Sequence, residues 1–416
     1  MRPFALLLAA LLTIAGLGAT PPRAIAHDPG SRVIVSTTLN DTLQFFDSKS
    51  LDETQPPVPS RGGGPVRLWV QTFDEREYLF AANHGAPLGS LGIFDLSAPL
   101  VLELPISPVP AGLGSVGVVA GDVKFGRGTH PFVAVTNTTH ALGGCGMPKG
   151  TVTIYDAGML PTLPPQEIDT VELSGGIPYA VALDGARGRF LASSYCGNTL
   201  ESIGVTGVIC DFPPQNALCP RFAARYRGAR ATGAGPDATV FDQARGLNYT
   251  VNITGSSVSV HDSSTPEMLT TVPLANNARP IDATLADGPG GRQWLITSNG
   301  GNDSVSIVDR DVIEVCVADA RATCPEAEVA QIKTKVPGGS PEGVAYDPAT
   351  DRVFVVNKGL FAPSLSVIQV AVGDDGTVTG EDIRRIPLGA VGTSTPVPAV
   401  IAFDVVVQTD PPVAED

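Results

Sequence analysis

Residues Gly338–Val370 read GGSPEGVAYDPATDRVFVVNKGLFAPSLSVIQV. Three short strand signals are joined here by turn chemistry. Pro341-Glu342-Gly343 leads into Val344-Ala345-Tyr346, and Asp347-Pro348-Ala349-Thr350-Asp351 supplies a tight polar turn. Arg352–Asn357 is the second strand and Ser364–Val370 the third. Strands of this length, rich in β-branched and aromatic residues and punctuated by Asp, Pro and Gly, favour antiparallel hairpins over helix.

The stretch recurs along the chain. Second-strand copies end at Thr37, Asn83, Asn137, Tyr195, Asn252, Asn299 and Asn357. Most are followed by a third strand ending in an acid: Leu43–Asp47, Gly92–Asp95, Val152–Asp156, Val258–Asp262 and Val305–Asp309. First-strand entries carry a proline at Pro65, Pro178, Pro236, Pro280, Pro341 and Pro396, while the entry near Gly114–Ala120 lacks one. The spacing of roughly 46 to 58 residues suits a unit of three or four strands with variable loops. Seven units result. The first unit begins at a second strand near Arg32 and the last ends on a first strand, Ala399–Asp404, so both termini are expected to complete one blade.

The segments VFVVNKG…LSVIQV and AVTN…GTVTIYD resemble the seven-bladed β-propellers of the YVTN repeat type, over nearly all of the chain after residue 26. The expected fold is therefore all-β, a seven-bladed β-propeller closed into a ring by the N- and C-terminal strands. A pair of β-sandwiches and a β-helix are the competing architectures. The turns sit too far apart and too irregularly for the β-helix.

Arg2, the apolar run Phe4–Leu17 and the small-residue pattern Ala24-Ile25-Ala26 read as a secretory leader over residues 1–26, too short for a membrane anchor. No other segment is long and apolar enough to span a bilayer. The propeller is expected over 27–410, with an acidic tail at 411–416, in a periplasmic or secreted monomer. Charged residues are 17% of the chain and the net charge is −15, so a basic footprint for nucleic acid is missing.

Six cysteines in an exported chain read as three disulfides, although six allow 15 pairings. Cys210 with Cys219 and Cys316 with Cys324 would close short loops, leaving Cys145 with Cys196 from two adjacent repeats. Two large insertions carry the first two pairs. Thr206–Gly235 also holds Arg221, Arg225, Arg227 and Arg230, either a docking site for an acidic partner or a solvated loop. Asp311–Val336 holds an Ala/Glu-rich piece, Pro325–Lys335, expected to form a helical turn or two.

No nucleophile elbow, zinc-protease helix, haem attachment motif or P-loop is present. First strands line the axis of a propeller, so Arg67, Tyr179, Asp237, Asp282 and Glu342, beside the entry prolines, are expected to converge at a channel mouth. Carboxylates there could hold Ca²⁺ or act as acid and base, or could cap strand ends and bind Arg67. Propeller lactonases use channel carboxylates of this general kind. No motif matches residue by residue, so the resemblance assigns no catalytic role. His27, His84 and His140, with Cys145, form a weaker candidate for copper, against which a Cys145 disulfide argues.

The sequence therefore leads first to an exported binding or scaffold protein presenting loop faces to a protein partner or small ligand. The alternatives are a lactonase-like hydrolase or isomerase using the channel carboxylates, and an accessory subunit docking a periplasmic redox enzyme.

Overall fold

A computed structural model describes residues 31–409, apart from 86–87, 99, 127, 139–144, 146–148, 209–220, 266, 359–362 and 390–401. The strands form seven antiparallel sheets, each running in order from the axis to the rim. The innermost strands are Pro65–Phe73, Ser115–Phe125, Pro178–Asp184, Pro236–Asp242, Pro280–Gly288, Pro341–Asp347 and Ala402–Gln408. Each touches the next, and Ala402–Gln408 touches Pro65–Phe73, closing the ring. The chain is a seven-bladed β-propeller.

Both termini complete one blade, as the repeat phase predicts, but the closing first strand is Ala402–Gln408 rather than Ala399–Asp404, so its entry position is Ala402 and not Pro396. Ala402–Gln408 pairs antiparallel with Arg32–Thr37, with Val33 opposite Val407 and Val35 opposite Val405. The two termini thus share one sheet, and the second strand Arg32–Thr37 gains its inner neighbour. In the next blade the rim position is filled by two short pieces, Leu102–Glu103 and Val109–Pro110, both paired with Ser90–Asp95.

The core lies between neighbouring blades. Second strands are buried on both faces, so they read as continuous apolar runs such as Val33-Ile34-Val35 and Val353–Val356, all at 0% exposure. Trp294, Val344, Val353 and Ile368 form one inter-blade cluster. Burying a side chain of this size contributes about 1.5–3 kcal/mol.

The recurrent polar markers have specific partners. Buried Asn137, Asn252, Asn299 and Asn357 each donate from Nδ2 to hydroxyls two apart on the third strand, such as Ser304 and Ser306 or Ser364 and Ser366. The terminal Asp of the third strand accepts from the backbone two residues on: Asp47 from Lys49, Asp95 from Ser97, Asp156 from Gly158.

Both insertions differ from the sequence expectation. A helix does occur in the second, but over Arg310–Ala318, where Asp309 caps it by accepting from the Asp311 and Val312 amides. The Ala/Glu-rich piece supplies only a single turn, Pro325–Ala327. Glu328–Lys333 is the rim strand, held by pairing along Ser304–Val308. Likewise, Arg221, Arg225, Arg227 and Arg230 do not sit on a loop. They belong to the rim strand Arg221–Ala231, whose long register against Thr199–Val208 overrides the loop-like composition around it.

Candidate functional site

Entry prolines start the first strands, and a register shift follows within three residues, for example between Pro65 and Arg67 and between Pro280 and Asp282. The shift turns two successive residues of each strand toward the axis. They form two layers. The residue directly after the entry position belongs to the mouth layer: Tyr179, Asp237, Glu342 and Phe403 with aliphatic Val66, Val116 and Ile281. The next residue belongs to the deeper layer, where Arg67, Asp282 and Asp404 meet small Gly117, Ala180 and Ala238. Gly343 occupies the same deeper position, because a Cβ there would lie 2.6 Å from the Asp404 Cα.

Hydroxyls at the end of the second strands hold these layers in place. Ser193 accepts from the Ala180 amide at 3.1 Å and donates to the Asp237 carbonyl of the following blade. Ser298 does the same between Asp282 and Glu342, and Ser36 between Asp404 and Val66. Each stitch fixes a site residue to its neighbour across a blade boundary.

Arg67 separates the two layers and lines a cavity on each side. Its Nη1 lies 2.6 Å from Asp282 Oδ1 and 3.9 Å from Asp404 Oδ1, and its Nη2 lies 3.7 Å from Asp237 Oδ1. Backbone amides hold the second oxygens of Asp404 and Asp282: Leu68 donates to Asp404 Oδ2 at 2.7 Å, and Val344 to Asp282 Oδ2 at 3.2 Å. Above, Lys358 Nζ reaches Glu342 Oε1 at 3.1 Å and lies 4.4 Å from the centre of the Phe403 ring. The cavity at the mouth measures about 510 Å³ and the channel below about 310 Å³.

Four carboxylates against two cations leave the axis with excess negative charge. Burial, with Glu342 and Asp282 adding to it against the pull of Arg67, pushes Asp237 up to about 7. Burial and then Asp282 raise Asp404 as well. Burial raises Glu342, against the opposing pull of Lys358. Burial disfavours the Arg67 cation, but Asp282, Asp404 and Asp237 outweigh it and hold the guanidinium firmly protonated. Burial and Asp237 push Tyr179 up to about 12. A carboxyl that changes charge near neutrality, in an open cavity, can take and return a proton.

All five predicted channel residues reach the axis, divided between the layers: Tyr179, Asp237 and Glu342 at the mouth, Arg67 and Asp282 below. Sequence reasoning missed Asp404, Phe403 and Lys358. The phase of the repeat offered a signal for the first two, since they stand where Pro341-Glu342-Gly343 stands one blade earlier. His84 lines the mouth cavity, with a buried Nδ1 that has no hydrogen-bond partner among the described residues. His27 and His140 lie outside the described residues.

The carboxylates do not make a calcium cradle, because Arg67 stands among them. Among the described residues, the only three His, Cys, Asp or Glu donors that come within 4.8 Å of one another are Cys316, Cys324 and Glu326. The two sulfurs there are bonded to each other, and a disulfide is not a thiolate ligand. Cys145 is bonded to Cys196, which removes it from any copper site. Cys210 and Cys219 lie outside the described residues. The Cys145–Cys196 bond ties loops of two adjacent blades together, directly after Tyr195, whose ring packs edge-on against Tyr179 at 5.6 Å. Arg221, Arg225, Arg227 and Arg230 stand apart on the rim.

No family model and no curated protein matches the chain. Solved structures share its fold. A periplasmic gluconolactonase of Pseudomonas aeruginosa superposes with a TM-score of 0.60 at 17% identity, over 92% of this chain and 99% of that one. A Bacteroides fragilis protein described as a 6-phosphogluconolactonase gives 0.58 at 14% identity, over 93% and 99%. Hydrazine synthase of Kuenenia stuttgartiensis gives 0.55 at 15%, over 85% and 93%. At such identities the likeness is one of fold alone. Among the described residues, no helix is long and apolar enough to cross a membrane.

Proposed function

We propose that the channel mouth binds a small hydroxylated molecule and hydrolyses a lactone, with Asp237 as general base. The observation that carries this reading is Asp237 itself, a carboxyl held near neutrality in the wall of a 510 Å³ cavity. Tyr179, Glu342 and His84 supply hydrogen-bonding groups for ligand hydroxyls, and Phe403 an apolar face. Ionised Asp237 takes a proton from water as the water oxygen adds to the lactone carbonyl carbon. The tetrahedral intermediate then expels the ring oxygen, which receives that proton back, leaving a hydroxy acid. The lactonase-named propellers that share the fold add support by analogy.

The test is hydrolysis of glucono-δ-lactone above the spontaneous rate. Asp237→Asn should lower kcat/KM by about 100-fold or more. The activity of the unmutated protein should rise as pH passes through about 7, where Asp237 ionises. Unaltered kinetics in Asp237→Asn would remove Asp237 from the role.

A second reading, ligand binding without turnover, draws on the pairing of both lining cations: Arg67 on Asp282 and Lys358 on Glu342. An oxyanion would then meet no unpaired lysine or arginine in the cavity wall. On this reading the arginines of the rim strand would serve an acidic protein partner. Either reading fits an exported chain with its leader over 1–26. The disulfides Cys145–Cys196 and Cys316–Cys324 support an oxidising compartment.

A further inference from the structure

Charge at the mouth goes further than the presence of a base there. The cavity wall holds two carboxylates, Asp237 and Glu342, and two permanent cations, Arg67 and Lys358. Both cations are already committed. Arg67 lies 2.6 Å from Asp282, and Lys358 lies 3.1 Å from Glu342. Among the described residues, no further Lys or Arg lines the cavity. Arg61 is paired with Glu103 at 3.0 Å, and Lys149 with Glu172 at 2.9 Å. Arg279 is exposed on the same side but does not line the cavity.

We infer that the mouth selects hydroxylated ligands that carry no phosphate, with Glu342 as the specificity-determining residue. The inference rests on the ligand site proposed above and names its substrate class. A phosphate monoester brings close to two negative charges near neutral pH. In this cavity it would face Asp237 and Glu342. The Lys358 ammonium could serve it only by leaving Glu342 buried without its partner. Hydroxyls of an uncharged sugar lactone, by contrast, are suited to carboxylate acceptors and a tyrosine donor. Glu342 therefore acts twice, as an acceptor for ligand hydroxyls and as the group that occupies Lys358.

The experiment compares glucono-δ-lactone with its 6-phosphate in turnover. It also compares 1,5-anhydroglucitol with its 6-phosphate in calorimetric binding, where no hydrolysis is needed. The expected result is a preference of about tenfold or more for the unphosphorylated member of each pair. Glu342→Gln should shrink that preference by improving the phosphorylated member, once its fold is verified by an unchanged thermal transition. Equal or reversed preference in binding overturns the charge rule. A binding preference without turnover of either lactone upholds it and overturns the hydrolase reading. Failure of both anhydroglucitols to bind overturns the ligand site and the rule together.

Discussion

Arg67 Nη1 lies 2.6 Å from Asp282 Oδ1, although the two residues stand on strands of different blades and 214 positions separate Arg67 from the neighbouring Ile281 carbonyl that it also approaches. One guanidinium thus draws together side chains from separate blades, with Asp404 and Asp237 within 4 Å of it. The same group divides the mouth from the channel beneath.

Removing Arg67 should therefore be costly. Arg67→Met keeps the bulk but leaves Asp282, Asp404 and Asp237 buried without their cation, and uncompensated buried charge costs about 3–5 kcal/mol. Urea unfolding at pH 8 should show a loss of that order, with a smaller loss at pH 5, where Asp237 and Asp404, both raised by burial, hold protons. A loss under about 1 kcal/mol at both values would show that the carboxylates do not depend on Arg67.

The pH dependence of stability has a definite sign. Asp237 has its folded-state value raised from 3.8 to about 7. The folded protein therefore binds a proton more tightly than the unfolded chain does. The stabilisation is fully present below about 4 and is lost as pH rises through about 7. Asp237→Asn removes the charge and keeps the shape. It should stabilise the protein at pH 8 by about 4 kcal/mol relative to its effect at pH 4. Thermal or urea unfolding of both proteins across that range reads the difference. A flat comparison would mean that Asp237 titrates as an ordinary surface carboxyl.

The repeat was legible because its signals are local. Alternation, the entry proline, the Asn that ends the second strand and the Asp that ends the third all act within a few residues. The hydroxyls that Asn299 and Asn357 use, Ser304 and Ser306 or Ser364 and Ser366, stand in the sequence as plainly as the Asn. Convergence of Asp237, Asp282 and Glu342 followed from the phase of the first strands. What they converge on was left open between a bound cation and Arg67, because the repeat phase brings Arg67 to the axis but does not encode which carboxylates its guanidinium meets. Asp404 was obscured because its strand, Ala402–Gln408, begins without the proline that marks five of the others. The arginine strand was misread because Cys, Pro and Gly flank it, whereas ten paired positions along Thr199–Val208 decide its conformation.

Disulfide Cys145–Cys196 spans 51 residues and crosses a blade boundary beside Tyr195 and Tyr179. The replacement of both cysteines by serine should cost about 2–4 kcal/mol. Ligand affinity at the mouth should fall as well, because Tyr179 loses the support of a tethered Tyr195. Calorimetric titration with 1,5-anhydroglucitol separates the two effects: intact affinity in the destabilised variant would make the bond a matter of stability alone.

Gly343 gives the sharpest test of the layer geometry. A Cβ at this position would lie 2.6 Å from the Asp404 Cα and 2.8 Å from the Val405 amide nitrogen, both backbone atoms that cannot swing aside. Gly343→Ala should therefore force the closing strand Ala402–Gln408 outward, and overpacking of this kind costs about 1–3 kcal/mol. The same shift moves Asp404 away from Arg67 and from the Leu68 amide that holds it. Because Ala402–Gln408 is the strand that pairs the C-terminal end of the propeller with Arg32–Thr37, the loss should appear as local opening of this seam before global unfolding. Amide hydrogen exchange should show faster exchange in Val405–Val407 and Val33–Val35 than in the blades opposite. Uniform protection in the variant would mean that Gly343 is not what permits the close approach of Asp404.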